Sequence, residues 1–129
     1  MGLMKIINEL AVLNVAESID FYNNYFGFSI EYKEGEPITW TQLKKDNIIL
    51  MLEDYNELKK EIPNCPNKVN NCNLIMFEYE NIEDLKALYQ LLKDNGVEFF
   101  KDYIETDYGK VEFGIYDPDK NMLLISSTL

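Results

Sequence analysis

With 129 residues, 47% of them hydrophobic and 27% charged, the chain is long enough to bury a core in one domain and too apolar for extended disorder. Acidic residues outnumber basic ones 23 to 12, and the formal charge of −11 repels nucleic-acid phosphates while attracting cations. No apolar run approaches the about 20 residues of a membrane span, so neither nucleic acid nor membrane is an expected partner. The opening MGLMKII lacks an apolar stretch with a small-residue cleavage site, and Ile6 stands where an acylation motif places Ser or Thr. A soluble, cytoplasmic protein is the expectation; on a blander reading the charge serves solubility alone.

Residues 5–12 predict a strand in which Leu10 and Val12 alternate with smaller or polar neighbours. Asn14 follows where a helix N-cap belongs, with Glu17 three residues on to form a capping box. Val15, Ser18, Ile19, Tyr22 and Phe26 recur at helical spacing, and Gly27 is placed to end the helix in the left-handed conformation. Strands are predicted over 28–33, 38–43 and 48–52, separated by the turn Glu34-Gly35-Glu36-Pro37 and a short connection at 45–47. Residues 55–62 suit a short helix, and 63–71, with two prolines and four asparagines, reads as a linker.

The same grammar then returns. Residues 74–79 predict a strand, Asn81 caps a helix with Asp84 in its first turn, and Ile82, Leu85, Leu88, Tyr89 and Leu92 form its apolar stripe. Gly96 stops that helix before a strand at 97–100, a polar, tyrosine-bearing loop at 103–109, a strand at 110–116, a tight turn at 117–121 and a last strand at 122–127. A β-α-β-β-β order repeated at half the chain length indicates a duplicated module: about 3–54, a linker over about 55–72, and about 73–129, within a single domain.

Cys65 and Cys72 are the only cysteines and there is no histidine, so no standard zinc site can be assembled. Bystander thiols are expected in preference to a disulfide. Ser126 and Ser127 have no histidine partner and neither cysteine has an activating base, so no catalytic residue is assigned.

Two short motifs, together with the duplicated order, make the pattern specific: Ser18-Ile19-Asp20-Phe21-Tyr22 leading to Phe26-Gly27-Phe28, and Asp117-Pro118-Asp119 with Asn121 ahead of the last strand. In these the chain resembles the vicinal oxygen chelate superfamily, which includes glyoxalase I, extradiol dioxygenases, fosfomycin-modifying enzymes and bleomycin-resistance proteins. The resemblance implies an α+β fold in which two tandem modules form curled mixed sheets around a cleft, with helices on the outer faces. It also implies a homodimer. The metal positions of the family's enzymes, carried over by register, fall on Ile7, Met51, Leu74 and Leu124, none of which is a plausible ligand, so no metal and no other cofactor is expected. A register shifted by two residues offers Glu9 and Glu53, two carboxylates able to hold Mg2+ or Mn2+ with water, or simply to line a solvated edge.

Strand alternation sorts the remaining side chains. Leu10, Val12, Leu50 and Leu52 are expected on the helix side, with Ile48; Ile7, Glu9, Ala11, Ile49, Met51 and Glu53 face the cleft, as do Ile38, Trp40 and Gln42 and, on the last strand, Met122, Leu124 and Ser126. Tyr103 and Tyr108 are lid candidates, and Glu112 is either another cleft acid or, as preferred, an exposed strand residue. The ligand-binding candidates are Trp40, Glu9, Gln42, Met51, Glu53, Met122 and Tyr108. Trp40, the single tryptophan, can stack on a planar ligand or serve as a wall of the core, and Met51, Met76 and Met122 can be adaptable lining or core filler. The preferred expectation is a metal-free binding protein resembling the bleomycin-resistance branch, sequestering a cationic or planar aromatic small molecule. The alternatives are a lyase- or dioxygenase-like enzyme, metal-independent or using a carboxylate and water site, and a protein-interaction module with a vestigial cleft.

Overall fold

The computed structural model describes residues 2–64 and 73–129. Cys65 and Cys72, and with them the expectation about their thiols, lie outside the described residues, as does most of the expected linker. The chain divides into two compact units, Met1–Val69 and Asn70–Leu129.

The first unit runs β1 (Asn8–Val12), α1 (Val15–Phe26), β2 (Ser29–Glu34), β3 (Trp40–Lys45), β4 (Ile48–Asp54) and α2 (Tyr55–Glu61). Its sheet has the order β1-β4-β3-β2, with β1 parallel to β4 and the remaining pairs antiparallel. Asn14 caps α1 by accepting the Glu17 amide at 3.0 Å. At the other end Gly27, at φ 75°, donates to Asn23 while Phe28 reaches back to the Tyr22 carbonyl, which satisfies carbonyls that the ending helix leaves without partners. The helix buries Val15, Ser18, Phe21, Tyr22 and Phe26 against Val12, Phe28, Leu43, Leu50 and Leu52. Phe21 takes the buried place expected of Ile19, which is only half-buried.

The second unit runs β5 (Leu74–Tyr79), α3 (Ile82–Asp94), β6 (Phe99–Glu105), β7 (Lys110–Tyr116) and β8 (Met122–Thr128), in the sheet order β5-β8-β7-β6. Asn81 caps α3 through the Glu83 amide, and Leu85, Leu88 and Leu92 pack on Val111, Phe113, Ile115, Leu123 and Ile125. The DPDKN turn is held by its own first side chain. Asp117 Oδ1 accepts the amides of Asp119 and Asn121, its Oδ2 accepts Asn121 Nδ2, and Lys120 takes the positive φ of 66° that the turn requires.

Two tandem β-α-β-β-β modules with mixed sheets are therefore present, but the expected curl is not. Each sheet is an open array of four strands, β1 and β2 at the edges of one and β5 and β6 at the edges of the other, and neither curls or closes. The first strand of each module pairs in parallel with the last, so the array ends there, and four strands are too few to close on themselves.

Several boundaries also move. The first strand begins at Asn8 and the third at Trp40, so Ile38 falls in the preceding turn and not on the sheet. Helix α3 ends at Asp94 with Asn95 as its C-cap, one residue before Gly96. Strand β6 begins at Phe99 and runs to Glu105, so Tyr103 lies in a strand where a loop was expected. Among the described residues no helix is long and apolar enough to cross a membrane.

Candidate functional site

Strand alternation gives each sheet one face covered by its long helix, α1 or α3, and an opposite face; on the first sheet α2 meets that opposite face at Glu53. In the first unit, Thr41, Leu43, Leu50 and Leu52 are buried on the α1 side. Their neighbours in the sequence place Glu9, Met51, Gln42 and Tyr32 side by side across the face opposite α1, and Ala11, Glu53, Trp40 and Glu34 in the adjoining row. Five of the seven candidates, Glu9, Trp40, Gln42, Met51 and Glu53, thus share one face of one sheet. Trp40 Nε1 donates to Glu9 Oε1 at 3.2 Å across the intervening strand β4, and Gln42 Nε2 donates to Glu31 Oε1 at 2.6 Å.

Glu53 is the unusual member. It is 6% exposed and stands opposite Trp40 at the end of β4, where α2 begins. Burial, then the Glu9 carboxylate, then Glu61 through charge and a shared hydrogen bond, then Glu57, push it from an ordinary 4.5 up to about 7. At neutral pH its carboxyl is about half protonated, so the edge of this face carries less fixed negative charge than its glutamates suggest.

Met122 and Tyr108 belong to the second unit. Met122 shares its helix-free face with Leu124 and Ser126, by the alternation that buries Leu123 and Ile125 under α3. Tyr108 lies in the turn between β6 and β7, and its hydroxyl donates to Glu112 Oε1 at 2.9 Å. Tyr103 is not a lid over this face. Its ring packs 5.4 Å from that of Tyr89 on α3, so it lies on the helix side.

Glu112, expected to be exposed, is 5% exposed and accepts Lys101 Nζ at 2.5 Å as well as the Tyr108 hydroxyl. The cause is β6. Register shifts between Phe99 and Lys101 and between Lys101 and Ile104 break its alternation, as bulges do. Phe99 therefore meets Tyr89 on the helix side, Phe100 and Lys101 both turn to the helix-free face, and Asp102 and Tyr103 both turn back to Tyr89. Strict alternation from the sequence cannot place these residues. The repeat offered one clue to Glu112. Trp40 pairs with Glu53, which pairs with Ala11, three residues before the Asn14 cap; Glu112 pairs with Ser126, which pairs with Glu78, three residues before the Asn81 cap. Glu112 therefore occupies in the second module the place of Trp40 in the first.

The residues present do not suit the metal of the superfamily's enzymes. Ile7, Met51, Leu74 and Leu124 carry neither imidazole nor carboxylate, and among the described residues no three His, Cys, Asp or Glu side chains are grouped to hold an ion.

With the duplicated modules and both faces described, the chain belongs to the glyoxalase/bleomycin resistance protein/dioxygenase superfamily, whose family model matches residues 6–125. The fold is similar to that of a glyoxalase-related enzyme from Fulvimarina pelagi, with a TM-score of 0.83 at 13% identity over 98% of this chain and 89% of the other. It is also similar to lactoylglutathione lyase from Agrobacterium tumefaciens, with a TM-score of 0.75 at 16% identity over 96% and 92% of the two chains. TioX from Micromonospora sp. ML1 gives a TM-score of 0.74 at 14% identity over 98% and 99%. These likenesses establish the fold. No curated protein matches the sequence.

Proposed function

We propose that this protein binds a small cationic, aromatic molecule on the face of its first sheet opposite α1, without a metal ion, as the bleomycin-resistance members of its superfamily suggest. The observation that carries this reading is the hydrogen bond from Trp40 to Glu9 beside the buried Glu53. It fixes an indole next to two carboxylates, so a cation of this kind meets an aromatic surface and negative charge together, the indole contributing roughly 0.5–2 kcal/mol. Turnover of the lyase or dioxygenase kind would need an electrophile for which the described residues supply no group of three His, Cys, Asp or Glu ligands. The pairing with a second copy that the resemblance implies belongs to the same proposal, with exposed Ile30 and Tyr32 on the edge strand β2 as apolar surface that a copy would cover.

Titration with benzyltrimethylammonium, followed by the fluorescence of Trp40 at pH 8, tests the reading against neopentylbenzene, its neutral isostere. A saturable change is expected for the cation, with the isostere about tenfold weaker, and Trp40→Ala should weaken the cation about tenfold by calorimetry. Affinity should fall between pH 8 and pH 6, because a proton on Glu53 competes with the ligand charge. Equal affinity for the two probes would remove the carboxylates from the reading; unchanged affinity in Trp40→Ala would remove the indole.

A further inference from the structure

The cluster of Lys101, Glu112 and Tyr108 belongs to the second unit and shares no residue with the reading above. A turn tyrosine that is 66% exposed has water available for its hydroxyl, yet Tyr108 bonds to a carboxylate that is 5% exposed. The two donors, Lys101 and Tyr108, converge on Oε1. Lys101, helped by Tyr108, holds Glu112 below the ordinary carboxylate range despite its burial, so it is a constant acceptor at neutral pH and a poor general base. The bond to Glu112 in turn raises Tyr108, which stays a neutral donor.

Further aromatic side chains share this face of the sheet. On the same face Phe100 lies over Gly114, its ring in the space that a β-carbon there would need, and 5.4 Å from the ring of Tyr116, with Leu124 on the adjoining strand opposite Gly114. The turn itself is pinned at its base: the Thr106 amide donates to the Lys110 carbonyl at 2.8 Å and Thr106 Oγ1 accepts the Lys110 amide at 3.0 Å, leaving Asp107, Tyr108 and Gly109 as a tip. Gly109, at φ 82°, permits the tip's reversal.

We propose that Tyr108 occupies, as a tethered stand-in, a binding site for a small aromatic molecule bearing a neutral hydroxyl, which displaces the tip and donates to Glu112 beside Lys101. The tyrosine side chain is itself an aryl alcohol bonded to the acceptor, and a free ligand of that chemistry makes the same bond. The Lys101 ammonium supplies a donor for the ligand's oxygen, and Glu112 takes its proton in a hydrogen bond without cleaving it.

The test uses p-cresol, and toluene as the same shape without the hydroxyl, with the parent protein and Tyr108→Ala, followed by backbone amide shifts. Tyr108 is exposed in a turn, so its truncation leaves the core intact. Removing the stand-in should tighten p-cresol by about tenfold, the scale of one hydrogen bond to a charged group, with shifts centred on residues 101–114; toluene should gain much less. Glu112→Gln in the Tyr108→Ala background should return p-cresol to the parent's affinity. Equal p-cresol affinity with and without Tyr108, an equal gain for toluene, or shifts confined to other strands would each overturn the proposal. Failure of the cation titration is distinguishable from failure here, because the two tests use different probes and different variants.

Discussion

A carboxyl buried as Glu53 is, with Glu9, Glu57 and Glu61 around it, holds its proton more tightly in the folded chain than in the unfolded one. Its folded value is about 7 and its ordinary value 4.5, so the folded state carries the extra proton between those limits. The stability Glu53 contributes is fully present below pH 4.5 and is lost as pH rises through 7, with a slope of at most about 1.4 kcal/mol per pH unit. Glu53→Gln keeps the shape of the side chain and removes the charge. The variant is expected to match the parent near pH 4 and to exceed it at pH 8 by on the order of 1–3 kcal/mol. Urea unfolding at the two pH values measures this, and a gap that does not change with pH would refute it. Residue types at this scale were legible without coordinates: Trp40, Glu9 and Glu53 stand out by chemistry and by strand parity. The proton on Glu53 was not, because it depends on α2 returning Glu57 and Glu61 to the end of β4.

Among the elements, the helices follow local rules and the edge strands do not. Asn14, Asn81 and Gly27 act within a few residues of themselves, so caps and stripes could be placed from spacing alone. β2 and β6 each carry register shifts, β2 between Ile30 and Tyr32, and each turns a side chain out of alternation: Glu31 reaches Gln42 and Lys44, and Lys101 reaches Glu112. Gly114 marks the consequence in β7. A β-carbon there would lie 2.2–2.6 Å from atoms of the Phe100 ring. Gly114→Ala is therefore expected to cost about 1–3 kcal/mol by overpacking, and much less in a Phe100→Ala background. A double-mutant cycle of unfolding free energies checks it; additive costs would mean that the ring and the missing β-carbon are not coupled.

For the whole molecule, the testable expectation is pairing. Light scattering at micromolar concentration should give twice the 15.2 kDa chain mass, and a monomer mass would remove the second copy from the proposed function. The charge of −11, the repeated β-α-β-β-β order and the caps that delimit it are carried by composition and by spacing along the chain; the resemblance to the superfamily rested on that order together with the motifs at Ser18 to Phe28 and at Asp117 to Asn121. The absence of histidine likewise limits metal chemistry before any fold is known. Tertiary structure alone decided that the sheets are open and not curled, that Glu112 is buried beneath Lys101 and Tyr108, and that Tyr103 packs against α3. The physical reason is one of range. Capping, helical periodicity and turn chemistry act over three to five residues, whereas strand register, bulges and the protonation of a crowded carboxylate depend on partners brought together only by folding.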